Sequence, residues 1–359
     1  MKNILVTGGV GFIGSHTSVM LLEEGNNVII LDNLLNSNYG VLEKIIKLGD
    51  NGKLFFYRKS LGDNLDNIFI EHEIDAVIHF AGLKSVSESV NDPLYYYENN
   101  VCGTINLLRT MERFNCNKLI FSSSATVYGN QEPPLSEDKE IGRGITNPYG
   151  ETKHMLEKIM MDYVKSNLKC KIVSLRYFNP VGAHISGEIG EKPNGRPNNL
   201  MPHIVNVGYN NLGIDKDKDN DKDNDKDKEI CVGNSYLSIY GDDYDTRDGT
   251  CVRDYIHVMD VARCHILAIK KIDSLSNYEA INVGIGEGTS VLELVNIFEK
   301  VNNVFVPYKF VGRRNGDLER VYCDTLKAEM LLGFKAEYSV ERMCEDAWFY
   351  KLKSMAIIE

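Results

Sequence analysis

Residues 2–24 read KNILVTGGVGFIGSHTSVMLLEE. Lys2 to Thr7 is a short apolar strand. Four glycines follow between Gly8 and Gly14, and a helical pattern then runs to about Glu24. Gly9, Gly11 and Gly14 fit G-x-G-x-x-G, and Gly8, Gly11 and Gly14 fit G-x-x-G-x-x-G equally well. Glycines in such a turn let backbone approach a pyrophosphate closely. The helix that follows offers free N–H donors and the positive end of its dipole. A glycine turn alone is commonplace, so its surroundings matter. The next strand, Val28 to Leu31, ends in Asp32. A carboxylate there can accept hydrogen bonds from adenosine ribose hydroxyls and repels a 2′-phosphate, which selects NAD over NADP.

Outward from this unit the pattern repeats. Further strands are expected at Leu54–Tyr57, Ala76–Phe80, Lys118–Phe121 and Lys171–Arg176. Helical segments lie between them, notably Pro93–Phe114 and Gly150–Asn167. Alternating strands and helices predict an α/β fold: a Rossmann-type, doubly wound parallel sheet with helices on both faces. Ligands then belong at the C-terminal strand ends. Those ends carry Phe80-Ala81-Gly82-Leu83-Lys84, then Ser122 to Gly129, then Tyr177-Phe178-Asn179-Pro180. Small and hydroxylated residues there let a flat cofactor approach.

The character changes after residue 180. Pro180 to Pro202 is rich in Gly, Pro and Asn, so the chain loops out of the sheet. We expect an NAD-binding domain over 1–180, with return segments near 236–285. A smaller C-terminal α/β domain over 181–359 is expected to bind substrate. Within it, residues 212–229 form a low-complexity insert, almost wholly Asp, Lys and Asn from Asp215 to Glu229. Lacking apolar residues, it reads as solvated. It lacks the central Gly and flanking helices of an EF-hand loop, so no metal is expected. Ile281 to Gly284 reads as a strand, Ser290 to Val301 as an amphipathic helix, and Asp324 to Leu352 as a mixture of helix and turn signals.

The 359 residues are 43% hydrophobic, enough for a large core, and the net charge of -11 argues against nucleic-acid or anionic-membrane partners. No apolar run is long enough to span a bilayer. The strand beginning at Asn3 leaves no room for a signal peptide, and the eight cysteines contain no C-x-x-C pair. These features lead us to expect a cytoplasmic protein with reduced thiols.

The chemistry is carried by Asn147-Pro148-Tyr149-Gly150-Glu151-Thr152-Lys153. On a helix Tyr149 and Lys153 share a face, one turn apart. An ammonium beside a phenol favours the phenolate, so the tyrosine pKa is expected to be lowered. Ser124, at the end of the fifth strand, can hydrogen-bond both a substrate hydroxyl and Tyr149. With a bound dinucleotide, these groups are suited to moving a proton and a hydride at a secondary alcohol.

The stretches TGGVGFIGSHT, VIILDNLLNS, VIHFAGLKSVSESV, IFSSSATVYGN, NPYGETK, LRYFNPVGAH, PNNLMPHI and GTCVRDYIHVMD resemble the extended short-chain dehydrogenase/reductase family, in its UDP-glucose 4-epimerase branch. GRRNGDLERVYCD and RMCEDAW extend the likeness almost to the end of the chain. The resemblance implies an NAD-dependent isomerase that interconverts UDP-glucose and UDP-galactose through a 4-keto intermediate. NAD would be tightly bound and regenerated each cycle. Ser124, Tyr149 and Lys153 would be catalytic. By matching position, Gly8, Gly11, Phe12, Ile13, Gly14, Asp32, Asn33, Asn36, Ser37, Phe80, Ala81, Gly82, Lys84, Asn99, Ser122, Tyr149, Lys153 and Tyr177 would contact NAD. Lys84, Ser124, Tyr149, Phe178, Asn179, Asn199, Leu200, Tyr240, Arg253, Tyr255, Arg314, Asp317 and Val321 would contact the UDP-sugar. The two arginines suit a diphosphate, because guanidinium forks match phosphate oxygens.

The resemblance carries four further expectations. The acid usual after the third strand is replaced by Ser60, so the adenine contact is either taken over by Asp63 or lost, which bears on how tightly NAD is held. Ala125-Thr126 stands where related 4,6-dehydratases carry an Asp-Glu pair, so elimination of water lacks its acid. Val321 stands where a tyrosine closes the sugar pocket to acetamido sugars, so UDP-N-acetylglucosamine and UDP-N-acetylgalactosamine are expected substrates as well. A homodimer through the helices Pro93–Phe114 and Gly150–Asn167 is also expected. A 4-epimerase for UDP-xylose or UDP-glucuronate stays open as an alternative. A non-catalytic NAD-binding scaffold on the same fold also stays open, though such a protein is expected to have lost Tyr149 or Lys153.

Overall fold

The computed structural model describes residues 1–193, 195, 197, 199–212, 236–314 and 316–356. All but the first residue of the low-complexity insert lies outside them. The first strands are β1 (Asn3–Thr7), β2 (Asn27–Leu31), β3 (Leu54–Tyr57), β4 (Ala76–His79), β5 (Lys118–Ser124) and β6 (Lys171–Tyr177). Four short ones follow: β7 (Asn179–Val181), β8 (Leu237–Tyr240), β9 (Val252–Arg253) and β10 (Tyr255–His257), and then β11 (Tyr278–Val283). Seven of these form one sheet in the order β11-β6-β5-β4-β1-β2-β3. Every pairing in it is parallel. The chain starts mid-sheet, walks to the β3 edge, and resumes on the other side of β1. The crevice therefore opens above the C-terminal ends of β1 and β4, where the strand order reverses.

The sheet is covered on both faces, as its Val- and Ile-rich strands require. Helices Phe12–Glu23 and Val258–Lys271 pack Val19, Leu22, Val261 and Ile269 against Ile4, Val6, Ile30 and Ile78. On the other face, helices Gly103–Arg113 and Pro148–Ser166 bring Leu107, Met111, Leu156 and Met160 against Leu5, Val77, Leu119 and Phe121.

Two elements differ from the sequence expectation in ways that shape the site. Strand β5 runs three residues past Phe121, because Ser122, Ser123 and Ser124 pair with Leu175, Arg176 and Tyr177 of β6. The expected helix Pro93–Phe114 is three segments in succession: Pro93–Tyr96, a widened π turn Tyr97–Cys102, and Gly103–Arg113. The widened turn buries Asn100, whose Oδ1 accepts from Leu83 N at 2.8 Å. Its Nδ2 donates to Leu83 O at 3.0 Å and to Thr152 Oγ1 at 3.2 Å. One asparagine thus fixes the loop after β4 against the helix bearing Tyr149.

A second core joins helices Leu200–Asn210, Val291–Asn302 and Val340–Ser354. Strands β12 (Thr289–Ser290), β13 (Tyr308–Val311) and β14 (Arg320–Val321) complete this region. The mixed segment at 324–352 resolves into helices Leu326–Leu332 and Val340–Ser354, and Trp348 meets Phe298 edge-on at 5.6 Å. No described helix is long and apolar enough to cross a membrane.

Candidate active site

The glycine turn fits a dinucleotide. Gly8 has φ +68°, and a Cβ there would lie 2.7 Å from Ala81 N. A Cβ on Gly14 would lie 2.2 Å from Gly8 O. Gly8, Gly11 and Gly14 thus set the turn, whereas a Cβ on Gly9 would meet the Ile30 side chain in the core. Helix Phe12–Glu23 starts at Gly11 with no capping side chain and no acid in its first turn. That leaves a positive helix end beside an open glycine loop, which suits a pyrophosphate.

Asp32 follows the last residue of β2 and is buried. Its Oδ1 accepts from Leu34 N at 2.9 Å and Ser37 Oγ at 3.0 Å, and its Oδ2 accepts from Val10 N at 3.1 Å. Three donors orient the carboxylate and leave acceptor capacity for a ribose hydroxyl. Asn33 Nδ2 donates to Ser60 Oγ at 3.2 Å, and Ser60 N donates to Asp63 Oδ2 at 2.8 Å. The Asp63 carboxylate thus lies beside Ser60, three residues along the loop after β3. Asn36 is exposed and Asn99 is half-buried.

At the other end of the crevice, Phe80 packs on His265 with ring centroids 4.7 Å apart, and Tyr177 OH lies 2.5 Å from His265 Nε2. His265 Nδ1 faces Val261 O at 2.8 Å, so the ring donates there and accepts from Tyr177. Burial pushes His265 down to about 4, which keeps this imidazole neutral. Tyr177 is buried, and its hydroxyl meets both His265 and the Ser122 side chain.

Helix Pro148–Ser166 begins where Asn147 caps Gly150 N at 2.9 Å, with Pro148 in the first turn. This start places Tyr149 above Ser124 and turns Lys153 inward. Lys153 Nζ donates to Ser122 O at 2.6 Å, sits 4.9 Å from the Phe121 ring centroid and 5.9 Å from that of Tyr149. Burial depresses the ammonium to about 8, partly offset by the Glu157 carboxylate. The expectation of a lowered tyrosine is not met. Desolvation around its hydroxyl raises Tyr149, although the Ser124 hydrogen bond acts in the opposite sense. Sequence spacing shows the neighbouring ammonium and not the burial, and here burial is the larger effect.

The substrate-side residues fall into three groups. Asn179 donates its N–H to Asp254 O at 2.9 Å and pairs with Tyr255, while Arg253 pairs with Val321. Val321, like Ala125, packs against the cluster formed by Val127, Tyr128, Leu135, Phe178 and Cys323. Tyr255 is drawn into the second core beside Val181 and Leu237, so the sequence reading of it as a ligand contact meets a buried ring. In the second group Arg314 forks onto Asp317 at 2.7 and 3.2 Å, with Tyr240 5.5 Å from the guanidinium. A Cβ on Gly316 in that loop would lie 3.3 Å from Thr146 Oγ1, which sets the loop three residues from Tyr149. In the third group Asn199, at the start of helix Leu200–Asn210, donates to Glu191 Oε1 at 2.6 Å. Lys84 Nζ reaches the same oxygen at 3.4 Å. Glu191 was missed from sequence: nothing in its spacing points to two partners so far apart in the chain.

Residues 4–284 match the NAD dependent epimerase/dehydratase family. A UDP-glucose 4-epimerase from Arabidopsis thaliana is 48% identical over 354 residues, covering 97% of this chain and 94% of that protein. The structure of UDP-glucose 4-epimerase from Bifidobacterium longum in complex with NAD+ and UDP aligns with a TM-score of 0.88 at 41% identity, covering 99% of each chain. The UDP-Glc/GlcNAc 4-epimerase from Campylobacter jejuni aligns with a TM-score of 0.80 at 32% identity, covering 98% of this chain and all of that one.

Proposed function

This chain belongs to the NAD dependent epimerase/dehydratase family, and from that membership we propose how its residues divide the work of a 4-epimerase. It is an NAD-dependent isomerase that interconverts UDP-glucose and UDP-galactose. The observation that carries the assignment of roles is the convergence of Ser124, Tyr149 and Lys153 beside the uncapped glycine turn.

In this reading residues 1–180, with the return segments near 236–285, bind NAD, and residues 181–359 bind the UDP-sugar. NAD, when bound, would supply reversible hydride acceptance for C4 of the sugar, so that hydride removed there can be given back and no net redox change results. Tyr149 takes the proton of the 4-hydroxyl and later returns it. Ser124 aligns that hydroxyl with the phenol. Lys153, anchored on the Ser122 carbonyl, supplies the positive charge that lets a raised phenol ionise. Asp32 with Ser37 orients adenosine, and Asp63 takes the role of the acid replaced by Ser60. Arg253 and Arg314 grip the diphosphate, while Asn179 and Asn199 bracket the sugar nucleotide.

Val321 supports a wider substrate range, including UDP-N-acetylglucosamine and UDP-N-acetylgalactosamine. A pair of chains docked through the segments 93–114 and 150–167 is supported by Leu94, Tyr95 and Met155, which are exposed there. Light scattering at micromolar concentration is expected to give twice the chain mass. A cytoplasmic setting is supported by the free cysteines, six of the seven described ones being buried. Purified protein should retain NAD, read by absorbance and fluorescence, and turn over UDP-galactose. A chain that binds NAD without turnover would be a scaffold and would refute these roles.

A further inference from the structure

Tyr149, Lys153 and Glu157 stand at successive turns of one helix face, and only the first two are used by the chemistry above. Glu157 has no exposed surface. Its Oε1 accepts from Ser123 Oγ at 2.5 Å and Arg176 Nε at 3.0 Å. Its Oε2 accepts from Arg176 Nη2 at 2.6 Å and Tyr278 OH at 3.2 Å. Arg176 is 3% exposed and continues through Nη1 to Tyr128 OH at 2.9 Å, which donates to Asn282 Oδ1 at 2.7 Å. The helix is thereby bonded to β5, β6 and β11 at one point, a turn beyond Lys153.

Such a pair is expensive to bury. Replacing a buried ion pair by well-packed apolar residues is often neutral or stabilising, so stability alone does not account for it. We infer that Glu157 is a positioning residue for the epimerase reaction, holding Lys153 against the Ser122 carbonyl as an ammonium, with Arg176 as the counter-ion that fixes Glu157 in place. The inference rests on the roles proposed for Tyr149 and Lys153.

Geometry and charge act together. Ser122 and Ser123 are consecutive residues of β5: the carbonyl of the first takes Lys153 Nζ and the hydroxyl of the second takes Glu157. Any roll of the helix that loosens one contact loosens the other. Around Lys153 the polar and titratable groups are few. On its own helix are Tyr149 and Glu157; β4 contributes His79, β5 the Ser122 carbonyl beside the Phe121 ring, and β6 Arg176 and Tyr177. His79 is bracketed by Thr7 Oγ1 at 2.6 Å and Thr104 Oγ1 at 2.8 Å, and burial holds it down at about 3, so it is neutral. Burial works against the ammonium, and Glu157 is the anion in this set that favours it.

The test is the pH dependence of kcat for UDP-galactose in the holoenzyme, with KM followed in parallel. In Glu157→Gln the alkaline limb, where Lys153 loses its proton, is expected to move down by about one pH unit, with KM within about twofold. Arg176→Gln leaves Glu157 unpaired and is expected to move the same limb up. If either single variant does not fold, the apolar pair Glu157→Leu with Arg176→Met removes both buried charges, and its limb is again expected to fall. Limbs unshifted in folded variants, or shifted the same way in both single variants, would overturn the inference and leave the pair a purely structural clamp. Failure of the underlying reading looks different: the native holoenzyme itself would not turn over UDP-galactose.

Discussion

Val321 pairs with Arg253 across the parallel ladder of β14 and β9, while the next residue, Tyr322, faces Val252 and Gly288 on the opposite side. Alternation along a strand makes this arrangement obligatory: the tyrosine cannot swing into the space that Val321 leaves. Val321 is packed against the cluster of Val127, Tyr128, Leu135, Phe178 and Cys323, on the side of the strand away from Tyr322. The native enzyme is expected to interconvert the two acetamido sugars as well as UDP-glucose and UDP-galactose. Val321→Tyr should cut turnover of the acetamido pair by tens- to hundredfold, the scale of a clash costing about 1–3 kcal/mol. Equal loss on both substrate pairs, or none, would refute the assignment.

Tyr149→Phe removes only the hydroxyl. Turnover of UDP-galactose should fall by about a hundred- to ten-thousandfold, while UDP binding by calorimetry stays within a few-fold. A variant with near-native turnover would take Tyr149 out of the mechanism.

Gly14→Ala tests the dinucleotide cradle. Its Cβ would meet Gly8 O at 2.2 Å and Gly9 Cα at 2.9 Å, both of them backbone. The turn must open, and the cost, about 1–3 kcal/mol, corresponds to roughly a ten- to hundredfold loss of NAD affinity. Retained NAD measured on the purified variant checks this, with circular dichroism to establish that the sheet has formed. Undiminished NAD content would show that the turn does not hold the cofactor.

Stability should fall in mild acid. His16 and His79 are held at about 3 and His265 at about 4, all by burial, against 6.5 for an accessible imidazole. Below 6.5 the unfolded chain takes up protons that the native chain refuses. Folded-state stability is therefore complete above that pH and lost as pH falls toward 4. Three such groups give a slope of about 4 kcal/mol per pH unit once all are engaged. Asp254 and Glu137, raised by burial, oppose this at lower pH. Urea midpoints between pH 7.5 and 5.5 should decline, and His265→Gln should flatten the decline by about one proton. An unchanged slope in that variant would remove His265 from the account.

The main sheet was readable because its strands are short runs of Val, Ile and Leu between glycines and polar turns. The glycine turn and the acid after β2 were readable because Gly8, Gly11, Gly14 and Asp32 lie within one strand–helix–strand unit. What escaped was set by contacts between distant segments. Ser122 to Ser124 read as a loop because three serines carry no strand signal; partners in β6 make them a strand. The widened turn at Tyr97–Cys102 depends on Asn100 being drawn toward Leu83 and Thr152, which no local pattern encodes. The direction of the Tyr149 shift escaped for the same reason, since desolvation belongs to the whole surroundings. Glu157 and Glu191 passed as ordinary helix and loop acids because Ser123 and Lys84, which they meet, lie 34 and 107 residues away in sequence.

The last strand of the main sheet, β11, pairs with β6 but is encoded about a hundred residues later, beyond the whole Leu200–Asn210 region. During synthesis the ribosome therefore delivers six strands and then withholds the seventh. Until residue 283 has emerged, β6 is an open edge with unpaired N–H and C=O groups. Helix Val258–Lys271, which shares a core with Phe12–Glu23, is missing as well. The nascent half-domain must wait in that state while the roughly one hundred residues between β6 and β11 are made. Chains truncated near residue 180 should behave as that stalled intermediate does, exposing an adhesive edge, so the boundary suggested by ligand binding is a poor place to cut the gene.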